Sequence, residues 1–339
     1  MNKKVFVGLS GGVDSSVAAA LLKQKGYDVE GISLVLTPND DGSASRDAKA
    51  VADALSIPIH IIDLKSAFAE RVIDYFVEEY KLGRTPNPCI RCNETIKFGL
   101  MLEKALEMGA DFLATGHYAK IAMENGKYLL KAADSVKDQS YFLYRLNQHQ
   151  LSHVLFPIAD MEKEDTRAIA RELGLPVADK GDSQEICFIP DNDYVKFIKD
   201  YSNFESVPGN FVDLSGNVIG QHSGIINYTI GQRKGLGVAF GEPMFVTKID
   251  AKTNEVVLAP NGFQETFEFL VDNLSEPFTS ERKLDVKIRY KASRVPATII
   301  PIGNGKVKVV FDTPQRAVTP GQSAVFYDGD TVVCGGYIM

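Results

Sequence analysis

The sequence predicts an α/β protein, with an N-terminal domain built on a parallel sheet followed by two small β-rich domains, the last a β-barrel. Three observations predict it. Apolar strand-like runs alternate with helical patterns through the first half of the chain, the mark of a parallel sheet with right-handed crossovers. Beyond about residue 205 the runs shorten and Gly, Pro, Asn and Asp break them, the pattern of small all-β modules. The 339 residues are 45% hydrophobic and 24% charged, ordinary values for a globular chain of two or three domains. The composition shift places boundaries at 1–200, 201–267 and 268–339.

Val5 to Leu9 is a continuous apolar run, as in a strand buried on both faces. Val13, Val17, Ala20, Leu21 and Leu22 then recur at helical spacing, and Gly26 is the expected stop. Val29–Leu36 and Ile57–Ile62 read as strands, with a helix over Ala44–Leu55 between them. Phe68–Tyr80 and Asn93–Met108 read as helices, and Phe112–Thr115 as a strand. Tyr118–Ala132, with Asn125-Gly126 at its middle, is a hairpin pattern. Thr166–Leu173 is helical. Strand-like runs then follow at Asn217–Ile219, Glu255–Leu258, Leu284–Tyr290, Thr298–Ile302, Lys306–Phe311 and Val332–Cys334.

The net charge of −7 argues against a protein that coats nucleic acid indiscriminately, and leaves room for a local basic patch. Asp14 interrupts the first apolar run too early for a signal-peptide core, and no run approaches the ~20 apolar residues of a membrane span. The expectation is a cytoplasmic protein with no membrane partner. Four cysteines are too few for a disulfide scaffold at this length.

Ser10-Gly11-Gly12-Val13-Asp14-Ser15-Ser16 lies between the first strand and the first helix. Consecutive glycines let backbone approach an anion, and the helix start offers free N–H groups and a positive dipole end, so the loop suits phosphate. It lacks the Walker A lysine and is not G-x-G-x-x-G. The alternative is a tight turn with Ser and Asp as caps. A second loop, Gly83–Asn93, carries two prolines and the pair Cys89 and Cys92. Cys92 lies near the start of the following helix, where the dipole lowers a thiol pKa. A lone CxxC is compatible with half a zinc site, a redox pair or buried thiols. No second pair is visible, and no metal site is expected from these residues alone. Cys187 taken alone reads as a buried inert thiol, and Cys334 as a core strand residue.

Ser10–Ser15 matches S-G-G-x-D-S, the signature of the PP-loop ATP pyrophosphatases (adenine nucleotide α-hydrolase-like). The chain goes further and resembles the tRNA-specific 2-thiouridylase (MnmA) family along nearly its whole length. The resemblance is carried by the glycine loop, Gly83–Phe98, Thr115-Gly116-His117-Tyr118 and Lys137-Asp138-Gln139-Ser140. It continues through Ile186-Cys187-Phe188-Ile189 and Tyr228–Arg233 to Arg289-Tyr290.

That resemblance implies ATP with Mg²⁺, bound by Gly8, Leu9, Ser10, Gly11, Gly12, Val13, Asp14 and Ser15 with Leu34 and Gly116. Asp14 helps organise Mg²⁺ or the loop. Plain core packing is the alternative for Leu34, and a hydrogen-bonded loop residue for His117. The resemblance makes Asn87, Pro88 and Cys89 the segment that meets the target base. It makes Cys92 the nucleophile and Cys187 the persulfide carrier, with a Cys92–Cys187 disulfide as an end state. Both thiols are then expected to be partly ionised near neutral pH. Lys137, Asp138, Gln139, Arg289 and Tyr290 match tRNA contacts. The implied substrate is the wobble uridine (position 34) in the anticodon loop of tRNAs for Lys, Glu and Gln, and the implied sulfur source is a cysteine desulfurase or a carrier protein.

One departure stands out. Many family members carry Asp where this chain has Cys89, so the acid/base group is unassigned. Cys89, Cys92 and Cys187 could instead hold an iron–sulfur cluster. Between Glu281 and Lys308, Arg282, Lys283, Lys287, Arg289, Lys291, Arg294, Lys306 and Lys308 face only Glu281 and Asp285, a composition that suits RNA phosphates and also a solvated β-module face. Two other functions compete. One is a PP-loop ligase that amidates an adenylated substrate and needs no cysteine. The other is a non-catalytic tRNA-binding protein, against which the intact glycine loop counts.

Overall fold

Val5, Phe6 and Val7 are all buried, with Val5 and Val7 in one apolar core and Phe6 in another. Strand β1 (Lys4–Gly8) is therefore covered on both faces, as its continuous apolar run requires. The computed structural model describes residues 2–37, 41–181, 186–238 and 241–339. The chain divides into two compact units. One comprises Met1–Val72, Cys89–Gln184 and Gly329–Val332, and the other Ile73–Pro88, Glu185–Asp328 and Val333–Met339.

In the first unit β1 pairs in parallel with β2 (Asp28–Val35) on one side and with β4 (Phe112–Ala114) on the other. β3 (Ile59–Asp63) continues the sheet beyond β2, and β7 (Val154–Leu155) beyond β4, giving the order β3-β2-β1-β4-β7. Helices α1 (Val13–Gln24) and α2 (Ser43–Leu55) pack Val17, Ala18, Leu22, Ala48 and Val51 on one face. A helix over 88–107 packs Phe98, Met101, Leu102 and Ala105 on the other. β5 (Ala119–Glu124) and β6 (Lys127–Ala132) form the expected hairpin. Asn125 and Gly126 both take positive φ (49° and 76°), as a two-residue turn matched to strand twist demands.

The helix over 88–107 corrects the sequence reading. It begins at Pro88 and not at Asn93. Proline suits a first helical position because its missing N–H would have no partner there. The segment Asn93–Met101 is wound as a π-helix, a form that concentrates at functional sites.

In the second unit β8 (Gly209–Val212), β9 (Val218–His222), β10 (Phe245–Asp250) and β11 (Glu255–Ala259) make a four-stranded sheet, β10-β11-β8-β9. Its core holds Phe211, Tyr228, Val246, Val256 and Leu258. β12 (Glu265–Asp272), β13 (Arg282–Lys287), β14 (Val295–Gly303), β15 (Lys306–Arg316), β16 (Ser323–Asp328) and β17 (Thr331–Ile338) run in the order β12-β15-β14-β13-β16-β17. Val271 opposite Ile338 closes them into a six-stranded barrel. Closure leaves no open edge, and Val286, Ile299, Val309, Phe326 and Cys334 fill the interior.

Candidate functional site

The strand order places β2 and β3 on one side of β1, and β4 and β7 on the other. The reversal of winding falls between β1 and β4, and ligands of open α/β sheets bind where the carboxyl ends of such strands part. The glycine loop leaves β1 at that point, and Thr115-Gly116-His117 leaves β4 beside it. Gly11 has φ +68°, and a Cβ there would sit 2.8 Å from Asp47 Cβ and 2.9 Å from the Ala44 carbonyl. A Cβ on Gly116 would lie 2.6 Å from the Asp14 carbonyl carbon and from the Ser15 nitrogen. Gly116 needs glycine because backbone meets backbone, and Gly11 because its φ is left-handed and Asp47 and Ala44 leave no room.

Inside the loop, Ser15 and Ser16 hydroxyls donate to the Gly12 carbonyl at 3.1 and 2.8 Å. The Ser10 amide donates to Ser15 Oγ at 3.3 Å. The first intrahelical backbone bond is Ser16 N–H to Gly12 at 3.3 Å. The amides of Val13, Asp14 and Ser15 therefore precede the helical ladder and are available to an anion. This backbone cradle fits the phosphates of ATP. Leu34 sits near the end of β2, half-buried and packed on the core, so the packing role is present whatever else it does.

Asp14 is held from two sides. Lys163 Nζ donates to both carboxylate oxygens at 2.8 and 2.7 Å, and Tyr118 Oη donates to Oδ1 at 2.8 Å. Tyr118 is also within 3.1 Å of Thr166 Oγ1. Lys180 Nζ bonds the Gly11 carbonyl at 3.0 Å and Asp47 at 2.6 Å. Lys163 and Lys180 are functional candidates that sequence reading missed. They lie far along the chain with no local motif, and only the fold brings them to the loop.

His117 packs against Phe98 and Phe156, and Thr115 Oγ1 lies 2.7 Å from its Nδ1. Burial, assisted by the nearby Lys97 charge, holds the imidazole well below its ordinary pKa, so it is neutral at pH 7. Asp138 accepts from the amides of Ala133 and Ser140 and from Ser140 Oγ, at 3.0–3.1 Å. Gln139 Oε1 accepts from the Tyr118 amide at 3.1 Å. These two expected tRNA contacts thus brace the loop beside Tyr118, while Lys137 is exposed.

The earlier helix start changes the reading of the cysteines. Cys92 is buried one turn inside, and the dipole effect, confined to the first turn, falls on Cys89 instead. Cys89 reaches solvent but is crowded by protein, and that desolvation pushes its thiol above the ordinary range, with Lys97 opposing. Asn93 donates to the Phe142 carbonyl at 3.1 Å, and its buried Oδ1 meets no hydrogen-bond partner among the described residues.

Cys187, Asn87, Pro88, Arg289 and Tyr290 belong to the second unit. Cys187 is exposed and forms no disulfide, contrary to the buried-thiol reading. Its neighbour Phe188 is buried against Phe76 and Phe197, at 5.4 and 5.2 Å between ring centroids. The Gly83–Pro88 loop is tied down by Thr85, whose amide bonds the Pro320 carbonyl at 2.8 Å and whose carbonyl accepts from Gln322 at 2.8 Å. Arg289 is exposed and bonds the Arg316 carbonyl at 2.9 Å. Lys287 lies over the Tyr290 ring at 5.4 Å.

Among the described residues no group of three or more His, Cys, Asp and Glu side chains is placed to hold a metal ion, so the iron–sulfur expectation gains no support. No helix among them is long and apolar enough to cross a membrane.

Residues 3–191 match the tRNA methyl transferase HUP domain, 195–260 the tRNA methyl transferase PRC-barrel domain and 264–338 the aminomethyltransferase beta-barrel domain. The chain is 52% identical to a tRNA-specific 2-thiouridylase MnmA of Acetivibrio thermocellus, over 99% of each chain. It is 52% identical to one from Clostridium acetobutylicum over 100% of each, and 50% identical to one from Clostridioides difficile over 100% of this chain and 98% of that one. The three matched domains follow one another along a chain whose glycine loop sits at the sheet's switch point, and the likeness to these relatives runs from end to end. The chain belongs to the tRNA-specific 2-thiouridylase family.

Proposed function

We propose that this chain catalyses ATP-dependent 2-thiolation of the wobble uridine of tRNA. The observation that carries the reading is the glycine cradle at the switch point, with Asp14 locked beneath it, in a chain that follows the thiouridylases over its full length. Gly11, Gly12 and the amides of Val13 to Ser15 hold the phosphates of ATP. Lys163 and Lys180 fix the loop that carries those amides. Asp14 Oδ2 keeps a free lone pair beside Lys163, so it is the carboxylate that would face Mg²⁺. The ion's contribution there is to neutralise the leaving pyrophosphate.

The chemistry runs in two stages. O2 of the uracil bonds the α-phosphorus of ATP as pyrophosphate leaves, which turns a poor leaving oxygen into part of AMP. The terminal sulfur of a persulfide on Cys187 then attacks C2, and AMP departs. Cys92 thiolate attacks Cys187 Sγ, which cleaves the sulfur–sulfur bond, frees the 2-thiouridine and leaves a Cys92–Cys187 disulfide for an external thiol to reduce. A cysteine desulfurase, directly or through a carrier, recharges Cys187. Asn87, Pro88 and Cys89 meet the base, which costs little to splay from a single-stranded loop. Lys137, Arg289 and Tyr290 hold the backbone.

The test is pyrophosphate release from ATP. The reading predicts release that depends on an unmodified tRNA for Glu, and that survives in Cys187→Ser. Release without tRNA, or none with it, contradicts the reading.

A further inference from the structure

Among the lysines close to the glycine loop, Lys163 is matched by Asp14 and Lys180 by Asp47, at 2.7 and 2.6 Å. Lys97 is not matched. It is half-buried on the π-wound segment, and no hydrogen bond or carboxylate partner meets it among the described residues. Glu94, one turn away, is already taken by Arg91 at 3.1 Å and Arg145 at 2.8 Å. With no carboxylate among the described residues to meet it, the ammonium is open to a charge-assisted hydrogen bond with an anionic ligand.

The register shows where such a ligand would lie. Met101 sits level with the end of β1, its Cε 3.1 Å from the position a Cβ on Gly8 would take. The helix leads into β4, which is parallel to β1, so it runs opposite to the strands. Lys97, four residues earlier, therefore lies beyond the strand end, on the side of the loop that follows β1. Helical side chains lean toward the N-terminus, which carries the Lys97 ammonium from the loop toward Cys92 and Cys89. Its charge is felt at both Cys89 and His117. The register thus puts Lys97 toward the loop end of the strands, near enough to Cys89 and His117 for its charge to act on both.

We propose that Lys97 is a catalytic residue of the adenylation step, its ammonium bonding the non-bridging oxygens of the ATP α-phosphoryl group as charge builds on them. The proposal rests on the thiolation reading. In that step the base O2–phosphorus bond forms while the bond from the α-phosphorus to the α,β-bridging oxygen breaks. The electron pair leaves with pyrophosphate, and the N3 proton of the uracil passes to solvent. Lys97 acts by charge alone and takes no part in the proton transfer.

The experiment is steady-state pyrophosphate release by the full chain with ATP and unmodified tRNA, comparing Lys97→Met and Lys97→Arg with the unsubstituted chain. Filter binding of the same tRNA runs alongside. Lys97→Met is expected to lower kcat about 100-fold, the scale of one lost transition-state donor, with ATP KM and tRNA affinity within about 3-fold. Lys97→Arg keeps the charge and recovers at least ten-fold over Lys97→Met, which a merely structural lysine would not do. Lys97→Gln serves if Lys97→Met fails to fold. A kcat within about 3-fold of the unsubstituted chain, or a rise in ATP KM alone, overturns the Lys97 role and leaves the thiolation reading standing. No release by the unsubstituted chain overturns both.

Discussion

Asp14 shows how one side chain of the motif is spent on architecture as well as chemistry. Lys163 and Tyr118 grip its two oxygens, and Gly116 backbone closes against it, so the first turn of α1 is clamped from three directions. Asp14→Ala removes the counter-charge of a largely buried lysine and frees the loop. It is expected to lower tRNA-dependent pyrophosphate release at least 100-fold while tRNA binding stays within about 3-fold; normal release would contradict the assignment. His117 makes a second prediction. Its imidazole is depressed below its ordinary value in the folded chain, by burial first and the Lys97 charge second. The unfolded chain binds the proton more readily, at about pH 6.5. The neutral form's contribution to stability is thus complete above pH 6.5 and declines as pH falls below it. Melting temperature should drop between pH 7 and pH 5, and less steeply in His117→Asn; equal slopes would contradict this. The glycines and Asp14 were legible because a phosphate loop is contiguous in sequence. Lys163, Lys180 and the grip of Tyr118 were not, because their roles exist only once the chain has folded.

The helix over 88–107 illustrates the limits of pattern at the level of elements. Its apolar face, Ile96, Phe98, Met101, Leu102 and Ala105, announces a helix, but Pro86 and Pro88 read as loop residues until Pro88 proves to be the first helical position. The π winding of Asn93–Met101 leaves no mark in the sequence that periodicity detects. Strands β1 to β4 were legible from their apolar runs. β12 was missed although Phe267, Phe269 and Val271 alternate with Thr266, Glu268 and Asp272; Leu270 breaks the pattern, and a bulge between Thr266 and Glu268 leaves Phe267 exposed. The helix Tyr194–Ser202 was missed despite a readable start, the Asp193 carboxylate accepting the Lys196 amide at 2.9 Å. The segment bearing Cys187 yields a test at this scale. Phe188, wedged between Phe76 and Phe197, anchors an otherwise exposed thiol. Phe188→Ala is expected to cut tRNA thiolation at least ten-fold and leave pyrophosphate release unchanged, measured in parallel on one preparation. Equal loss of both would mean general unfolding and not a misplaced carrier.

For the whole molecule, a net charge of −7 coexists with a basic stretch on the barrel. Asp328 answers Arg282 at 3.1 Å and Glu268 answers Lys308 at 2.7 Å, so part of that charge is internal to the barrel. Arg289 remains exposed in the turn after β13. The sequence of an α/β part followed by β modules was legible from the change in hydrophobic pattern near residue 205. The closure of β12 on β17 was not, because it joins residues far apart in sequence, Val271 and Ile338. Cys92 lies in one unit and Cys187 in the other. The decisive measurement is retardation of tRNA on a mercury-containing gel. The chain is incubated with Mg-ATP, unmodified tRNA for Glu, a cysteine desulfurase and cysteine, with Cys187→Ser in parallel. Retardation that requires ATP and Cys187 is the predicted result. Retardation by Cys187→Ser would remove the persulfide from the mechanism, and no retardation in any lane, with ATP uncleaved, would contradict the thiolation reading itself.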